Sequence, residues 1–189
     1  MKICIFGASS NNIDPTYIAG TEILSETLAK RGHTLIFGGG ANGLMGAMAR
    51  GFTKGGGYII GVAPRFFDLP GVLYQQCDEF VYPDSMRDRK KFMEDNADAF
   101  IVVPGGIGTY EEFFEVVTLK QLARHAKPIV LYNLNGFFDK LVALIRSDTE
   151  TGFIRPQTEE LFEVTADMNE AIALTEAGEM DIEQIRFYD

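Results

Sequence analysis

The residues best suited to chemistry follow a short apolar segment near the middle of the chain. Residues 99–103 (AFIVV) form an unbroken apolar run, as in a strand buried on both faces of a parallel sheet. The sequence PGGIGTYEE follows at 104–112, and a helical apolar pattern covers 110–124. Because glycine has no side chain, the backbone N–H groups of this turn are exposed to a ligand. Thr109 is the predicted N-cap of the helix, and a helix N-terminus attracts anions. This stretch therefore predicts an anion-binding turn suited to a phosphate.

Two acidic residues, Glu111 and Glu112, lie in the predicted first turn of that helix. Acids in a first turn can simply complement the helix dipole. Here they stand behind a glycine turn at the carboxyl end of a strand, where open α/β sheets bind ligands. We therefore expect at least one of the two to act on a bound ligand.

The densest basic cluster of the chain lies in a second predicted helix, 86–96, which Asp84 and Ser85 cap. A charge run of this kind can be a solvated helix face. The i, i+4, i+7 spacing nevertheless puts Lys90 on one face with Met86 and Met93, with Arg89 beside them. At least one cation must then point inward or along an edge, where a charge needs a partner. A phosphate or a glutamate would serve. The cluster comprises Arg87, Arg89, Lys90 and Lys91.

The elements that must position these residues alternate regularly between strands and helices. Strands are predicted at 3–6, 33–37, 58–62, 79–82, 99–103, 127–132 and 162–165. Helices are predicted at 15–30, 86–96, 110–124, 136–148 and 168–177, and another opens from the glycine turn at 38–46 and ends near 55–57. Such alternation predicts an α/β fold with a doubly wound, mostly parallel sheet, in a single domain over 1–189. Residues 64–83 are irregular except for the short strand, and a connection of this length is often a lid or binding loop.

Glycine-rich turns also follow the first two predicted strands. The first contains Gly7 and Ser9, and its small residues allow a ligand to approach closely. The second, GGGANGLMG at 38–46, has the G-x-G-x-x-G spacing of dinucleotide-binding folds. A site for NAD would also need an acidic residue at the end of the next strand, and 58–64 contains none. The sequence therefore disfavours NAD, and the glycines leave room for another ligand or for tight packing.

Composition narrows the partners further. The net charge of −10 argues against nucleic acid and anionic membranes, and no apolar run approaches the roughly 20 residues that span a bilayer. Cys4 and Cys77 lie far apart, and His33 and His125 have no paired spacing. We therefore expect reduced thiols in a cytoplasmic protein, no metal site and an exposed His33.

The helix after the central glycine turn has two apolar stripes where one sheet face needs only one. We therefore expect a homodimer that covers the second stripe. The first stripe contains Tyr110, Phe113, Phe114, Val117 and Gln121, and the second contains Val116, Leu119 and Ala123.

Taken in chain order from residue 7 to about 152, the motifs resemble the Lonely Guy family of cytokinin riboside 5′-monophosphate phosphoribohydrolases. The resemblance rests on GGG at 38–40 with GLMG at 43–46, on M-x-x-R-K at 86–90 with Met93, and on P-G-G-x-G-T-x-x-E at 104–112. It is weaker at residues 87 and 88 and over 69–82, which leaves the base pocket open. Members are often labelled lysine decarboxylases, but no lysine here has a recognisable pyridoxal phosphate context.

The resemblance implies a modified Rossmann fold, a homodimer with the active site near its interface, and a nucleotide substrate. Its implied reaction releases a free base and ribose 5-phosphate from a possibly N6-modified adenosine 5′-monophosphate (AMP), with no cofactor. Arg89 and Glu112 are the implied catalytic pair. The residues expected to contact the nucleotide are Gly7, Ser9, Gly39, Gly43, Met86, Lys90, Gly105, Gly106, Gly108, Thr109, Glu111 and Thr118.

This chemistry suits the residue types. Cleavage of an N-glycosidic bond passes through an oxocarbenium-like sugar, which a carboxylate can stabilise while it activates water. We expect Glu112 in that role and Glu111 on the ribose hydroxyls. Arg89 could bind the phosphate or orient the glutamate, because a planar guanidinium can donate two parallel hydrogen bonds to either group. The rival hypothesis is a carrier without turnover, which resembles molybdenum cofactor carriers and needs the glycine turns but no carboxylate.

Overall fold

The computed structural model describes residues 1–181. It contains one seven-stranded sheet in the order β4-β3-β2-β1-β5-β6-β7. The strands are β1 (Lys2–Phe6), β2 (Thr34–Phe37), β3 (Tyr58–Val62), β4 (Glu79–Val81), β5 (Ala99–Val102), β6 (Ile129–Tyr132) and β7 (Glu163–Thr165). The helices are α1 (Pro15–Lys30), α2 (Gly43–Gly55), α3 (Met86–Asn96), α4 (Ile107–Gln121), α5 (Asp139–Glu150) and α6 (Met168–Glu176).

Every pairing between these strands is parallel, which confirms the predicted doubly wound α/β sheet. The chain builds outward from β1 to β4 on one side, then returns to place β5 against the other edge of β1. In register, Cys4 pairs with Ile36 of β2 and with Phe100 of β5. The strand order therefore reverses between β1 and β5, and ligands of open α/β sheets bind at such a switch point.

The helices cover both faces of the sheet and create two apolar cores. One core joins α3, α4 and α5 to side chains such as Cys4 and Phe100. The other joins α1, α2 and α6 to the alternate positions of the same strands, such as Ile3 and Ile101. Because successive side chains of a strand point to opposite faces, strands covered on both sides are continuously apolar. This accounts for the AFIVV run of β5.

Local signals correctly predicted where α1 and α3 begin. The Asp14 carboxylate accepts a hydrogen bond from the Thr16 N–H (2.9 Å) at the start of α1, and Pro15 occupies the first helical position. Ser85 caps α3 by accepting from the Asp88 N–H (3.1 Å). Cys4 and Cys77 are free thiols, as predicted.

Three predicted exposures are wrong. His33 is buried, because its Nε2 lies 2.7 Å from Glu176 Oε1 at the end of α6. Leu144, which the apolar pattern of the predicted helix 136–148 places on the buried side, is an exposed residue of α5. The two stripes of α4 are also mixed: Val116 of the second stripe is fully buried in the core of its own chain, whereas Phe114 of the first is 41% exposed.

Within residues 1–181, no helix combines the length and apolarity needed to cross a membrane. The same residues contain no group of three or more His, Cys, Asp or Glu side chains positioned to hold a metal ion.

His125 should make stability depend on pH. Its Nδ1 accepts from the Lys127 N–H (3.2 Å), so Nε2 donates to the Val116 carbonyl (2.9 Å), and burial lowers the pKa of this neutral ring to about 4. The unfolded ring has a pKa of about 6.5, so its stabilising contribution is present above that pH and is lost as the pH falls towards 4. Between pH 7.5 and 5, the wild-type free energy of unfolding should fall by about 1–2 kcal/mol more than that of His125→Gln. Urea denaturation across this range measures the difference, and parallel curves would contradict it.

Candidate active site

A cavity of about 520 Å³ opens at the carboxyl edge of the sheet, beside the switch point. Its wall comes from the turns after β1 and β2, the loop after β3, and the starts of α3 and α4. The lining residues are Ile5, Phe6, Gly7, Ala8, Ser9, Gly38, Gly40, Asn42, Met45, Phe67, Val72, Leu73, Met86, Arg89, Gly106, Ile107, Gly108, Thr109 and Glu112.

The start of α4 supplies the anion-binding end of this cavity. Gly106 is the N-cap in an extended conformation, and the Tyr110 N–H donates to its carbonyl (3.1 Å). The amides that precede Tyr110 in the helix have no partner within it and carry the positive end of the dipole. Gly106 and Gly108 have open space where a side chain would stand. A phosphate can therefore approach these amides closely.

The predicted cap at Thr109 is wrong, because the N-cap is Gly106 and the helix begins at Ile107, three residues earlier than predicted. Thr109 is instead buried and packs its hydroxyl against Gly105, where a side chain on the glycine would clash at 2.0 Å. The earlier start also moves Glu111 and Glu112 into the second helical turn. They therefore do not complement the dipole from its first turn, which removes the simpler interpretation of these acids.

Arg89 and Glu112 form a buried ion pair at the inner wall of the cavity. Arg89 Nη1 donates to Glu112 Oε1 (2.9 Å), and their side chains are only 9% and 12% exposed. The prediction that α3 turns a cation inward to a partner is confirmed. Because α3 and α4 are separate elements, the pair also joins them across the carboxyl edge of the sheet.

The Arg89 guanidinium lies against three parts of the chain besides its own helix. Its Nε donates to the Val62 carbonyl at the end of β3 (3.1 Å). Its Nη2 lies so close to Gly38 that a Cβ there would stand 2.3 Å away. Glycine at the start of the second turn is therefore required by the position of Arg89. An arginine fixed by three contacts is well suited to orient the carboxylate beside it.

Burial raises the pKa of Glu112 above its usual value, and the Arg89 guanidinium opposes that rise. The carboxylate has thus lost most of its water while it keeps one strong hydrogen bond. Such a group is a stronger base than a solvated glutamate. It faces the cavity one helical turn beyond the anion-binding amides.

Lys90 forms a separate, more exposed cluster beside this pair. Its ammonium contacts Glu111 and lies 2.6 Å from Glu115 Oε2. Burial raises the pKa of neighbouring Glu94 to about 7, and the charge of Glu115 adds to the rise. The lysine therefore neutralises carboxylates between α3 and α4 rather than projecting into the cavity.

The residues predicted to contact the nucleotide fall into two groups. Those that line the cavity are Gly7, Ser9, Met86, Gly106, Gly108 and Thr109, together with the predicted catalytic pair. Those outside its lining are Gly39, Gly43, Lys90, Gly105, Glu111 and Thr118. Their roles remain predictions.

Two glycines of the second group have packing roles instead. Gly39 has a positive φ of 75°, and a side chain there would meet the Phe80 ring at 2.6 Å. Gly43 has a φ of 57° and donates its N–H to Asn11 Oδ1 (2.7 Å). A side chain on Gly43 would also clash with the Ala8 carbonyl, so this glycine lets α2 approach the first turn.

Sequence reasoning missed several residues of the cavity wall. Phe67, Val72 and Leu73 come from the irregular segment after β3, for which no local pattern indicated a direction. Asn42, the N-cap residue of α2, could have been suspected from its place in the second glycine turn.

Relatives of this chain share most of its length. A probable cytokinin riboside 5′-monophosphate phosphoribohydrolase of Oryza sativa subsp. japonica is 38% identical over 155 residues, which are 82% of this chain and 74% of the relative. The cytokinin riboside 5′-monophosphate phosphoribohydrolase of Mycobacterium tuberculosis is 37% identical over 161 residues, 84% of this chain and 86% of its own. The chain belongs to the Lonely Guy family. The expected resemblance is confirmed.

A family model described as "possible lysine decarboxylase" also matches residues 45–175 of this Lonely Guy protein. No lysine is among the residues that line the cavity in the described part of the chain. The site therefore lacks the side chain that would hold pyridoxal phosphate as a Schiff base.

The fold itself is found beyond the family. The structure of the molybdenum cofactor carrier protein of Chlamydomonas reinhardtii matches with a TM-score of 0.70 at 22% identity, over 93% of this chain and 96% of the carrier. This likeness shows the shared fold.

Removal of one partner from the buried pair should destabilise the Lonely Guy fold strongly. We expect Arg89→Met to lower the free energy of unfolding by about 3–5 kcal/mol at pH 7.5, because it strands the Glu112 charge. The double variant Arg89→Met/Glu112→Leu should lose less free energy of unfolding, because it leaves no unpaired charge. In Arg89→Met the unpaired Glu112 carboxyl has a raised pKa in the folded state. The loss of stability in this variant should therefore grow as the pH rises and the carboxyl ionises.

The matched control for the buried pair is Lys91→Met on the same helix, which breaks an ion pair with Asp95 whose side chains are 70% and 56% exposed. Its cost should stay below about 1 kcal/mol. Urea denaturation of the wild type and the three variants measures these costs. Equal costs for Arg89→Met and Lys91→Met would contradict the prediction.

Proposed function

We propose that this protein hydrolyses the N-glycosidic bond of a nucleoside 5′-monophosphate, AMP or an N6-substituted AMP, to the free base and ribose 5-phosphate. The observation that carries the proposal is the buried Glu112, oriented by Arg89, one turn beyond the anion-binding start of α4 and in the same cavity. The names of its relatives, from a plant and from a bacterium, support the same activity.

The phosphate would bind at the start of α4, where the amides of Ile107, Gly108 and Thr109 lie before the first intrahelical bond. The loop with Gly7 and Ser9 lines the same end of the cavity. No lining arginine or lysine other than Arg89 is available there among residues 1–181, so backbone dipoles would carry most of the recognition. This arrangement allows a net-negative protein to bind an anion.

The sugar would then lie beside Glu112. The bond from C1′ to the base nitrogen breaks, the base keeps the electron pair and gains a proton, and water adds its oxygen to C1′. The Glu112 carboxylate stabilises the positive charge that develops on the sugar and takes a proton from the attacking water. Arg89 donates one hydrogen bond to the Val62 carbonyl and one to Glu112, which supports a role in orienting that carboxylate.

The second candidate is a carrier that binds a nucleotide-like cofactor without turnover. The fold shared with molybdenum cofactor carriers makes it worth testing. A carrier needs the glycine turns but has no use for a desolvated, oriented carboxylate at the sugar. The Glu112–Arg89 pair therefore favours the hydrolase.

We also propose that two copies of the chain associate through the exposed face of α4, in the cytoplasm as the free thiols favour. Phe114 and Leu122 are exposed on or just after this helix, and Ile107 at its start is 84% exposed. Large apolar side chains on one helix are typical of an interface. Because Ile107 also lines the cavity, the partner would lie close to the substrate.

Incubation of the protein with AMP and with isopentenyl-AMP tests the activity directly. We expect chromatography to detect free base and ribose 5-phosphate from at least one of them. Glu112→Gln should lower kcat by about 10²- to 10⁴-fold, because it removes the base while it keeps an acceptor for Arg89. Glu115→Gln, one turn along the same helix but outside the cavity lining, is the control and should keep near wild-type kcat. A folded protein that binds both nucleotides yet releases no base would favour the carrier.

The association of two chains can be measured by size-exclusion chromatography with light scattering. The wild-type protein should elute at twice the mass of one chain. Phe114→Lys should shift it towards the monomer, because it places a charge in an apolar contact. Leu144→Lys, on the exposed side of α5, should leave the mass unchanged. A monomeric wild type would refute the proposed association.

A further inference from the structure

The order of the strands determines the order of the loops along the cavity. Across the carboxyl edge, the loops follow β3, β2, β1 and β5 in that order. The anion-binding amides stand after β5, whereas Phe67 and Leu73 stand after β3. Three strand spacings separate them, about 14 Å. Arg89 lies between, since it contacts the end of β3, the turn after β2 and Glu112 of α4.

The β3 end of the cavity is apolar. Phe67, Val72 and Leu73 form its wall, with Met45 and Met86 beside them. Phe67 is 38% exposed, whereas Phe6, the other aromatic side chain in the lining, is buried against Phe100. Phe67 is thus the aromatic ring that remains accessible at the cavity, within the described part of the chain.

Asn42 is a polar side chain beside this wall. Its Oδ1 accepts from Asn11 Nδ2 (2.9 Å), and its Nδ2 donates to the Gly71 carbonyl (3.1 Å). These two hydrogen bonds hold the turn and the loop together. Because the side chains after β3 in this wall are apolar, a group bound here gains mainly contact area and stacking.

The loop that carries Phe67 is tied down by main-chain contacts. Gly40 and Leu73 form an antiparallel bridge. The Ala41 N–H donates to the Val72 carbonyl (2.8 Å), and the Tyr74 N–H donates to the Gly39 carbonyl (2.8 Å). These bonds fix residues 72–74 against the second glycine turn. Phe67 precedes them in a short 3₁₀ turn, where its N–H donates to the Pro64 carbonyl (3.0 Å). A wall ordered before binding loses little entropy when the ligand arrives.

We infer that Phe67 is the stacking platform for the base of the nucleotide and determines specificity at this end of the cavity. The inference rests on the proposed function, since a phosphate after β5 and a sugar at Glu112 direct the base towards β3. Every base has a flat π-face, so stacking recognises an aromatic ring as a class. The substrate is then selected by the shape and apolarity of the base, including apolar substituents on it, rather than by hydrogen bonds from side chains to its edge.

The test compares ligands with and without a base. Isothermal titration calorimetry with AMP and with ribose 5-phosphate gives two dissociation constants for each protein. We expect Phe67→Leu to weaken AMP about tenfold, as loss of base stacking does, and to leave ribose 5-phosphate unchanged. Phe67→Tyr keeps an aromatic ring and should bind AMP within about twofold of the wild type.

Phe66→Leu is the matched control. Its ring lies 4.5 Å from that of Phe67 but does not line the cavity, so AMP binding should remain normal. Equal weakening of AMP and ribose 5-phosphate by Phe67→Leu, or no weakening of either, would overturn the inference. All titrations use the Glu112→Gln background, in which turnover is suppressed. A wild type that binds AMP but does not cleave it would refute the hydrolase and leave the assignment of Phe67 standing.

Discussion

A charged pair removed from water is the constraint around which this site is organised. Neither Arg89 nor Glu112 could stay buried alone, because an isolated charge inside a protein costs several kcal/mol. Together they require α3 and α4 to meet, and the guanidinium adds a bond to the last carbonyl of β3 and contact with a glycine of the second turn. Four elements are thus fixed by one side chain. The carboxylate gains a defined direction, which a solvated glutamate on a helix surface would lack.

The parallel sheet explains why the remaining parts of the site fall where they do. In such a sheet every strand ends at the same edge, so the residues that follow β1, β2, β3 and β5 must meet. The turn after β1 contributes small residues, and the turn after β2 contributes close packing. The loop after β3 contributes an apolar wall, and the turn after β5 contributes exposed backbone amides. The sequence separates these residues by up to about a hundred positions, and the topology places them around one cavity.

Sequence patterns predicted what depends on near neighbours. Patterns within about five to ten consecutive residues were sufficient for three features. They are the buried parallel strands, the starts of α1 and α3, and the inward-facing cation of α3. The start of α4 was misjudged because Gly106 can be extended and a glycine-rich turn leaves several possible first residues. His33 was misjudged because its partner, Glu176, lies 143 positions away in α6. The place of Phe67 was equally hidden, since the loop that carries it is anchored by a bridge between Gly40 and Leu73, which are distant in sequence.

That bridge has a consequence for how the family can diverge. Residues 64–78, between β3 and β4, contribute one wall of the cavity, and they contain neither the Arg89–Glu112 pair nor the amides at the start of α4. They are attached by main-chain hydrogen bonds to Gly39 and Ala41 and by the side chains of Tyr74 and Asp78. The exposed side chains of this segment, such as Phe66 and Leu69, can therefore change without disturbing the buried pair. One ancestral scaffold could acquire new nucleobase preferences by exchanging a single surface loop.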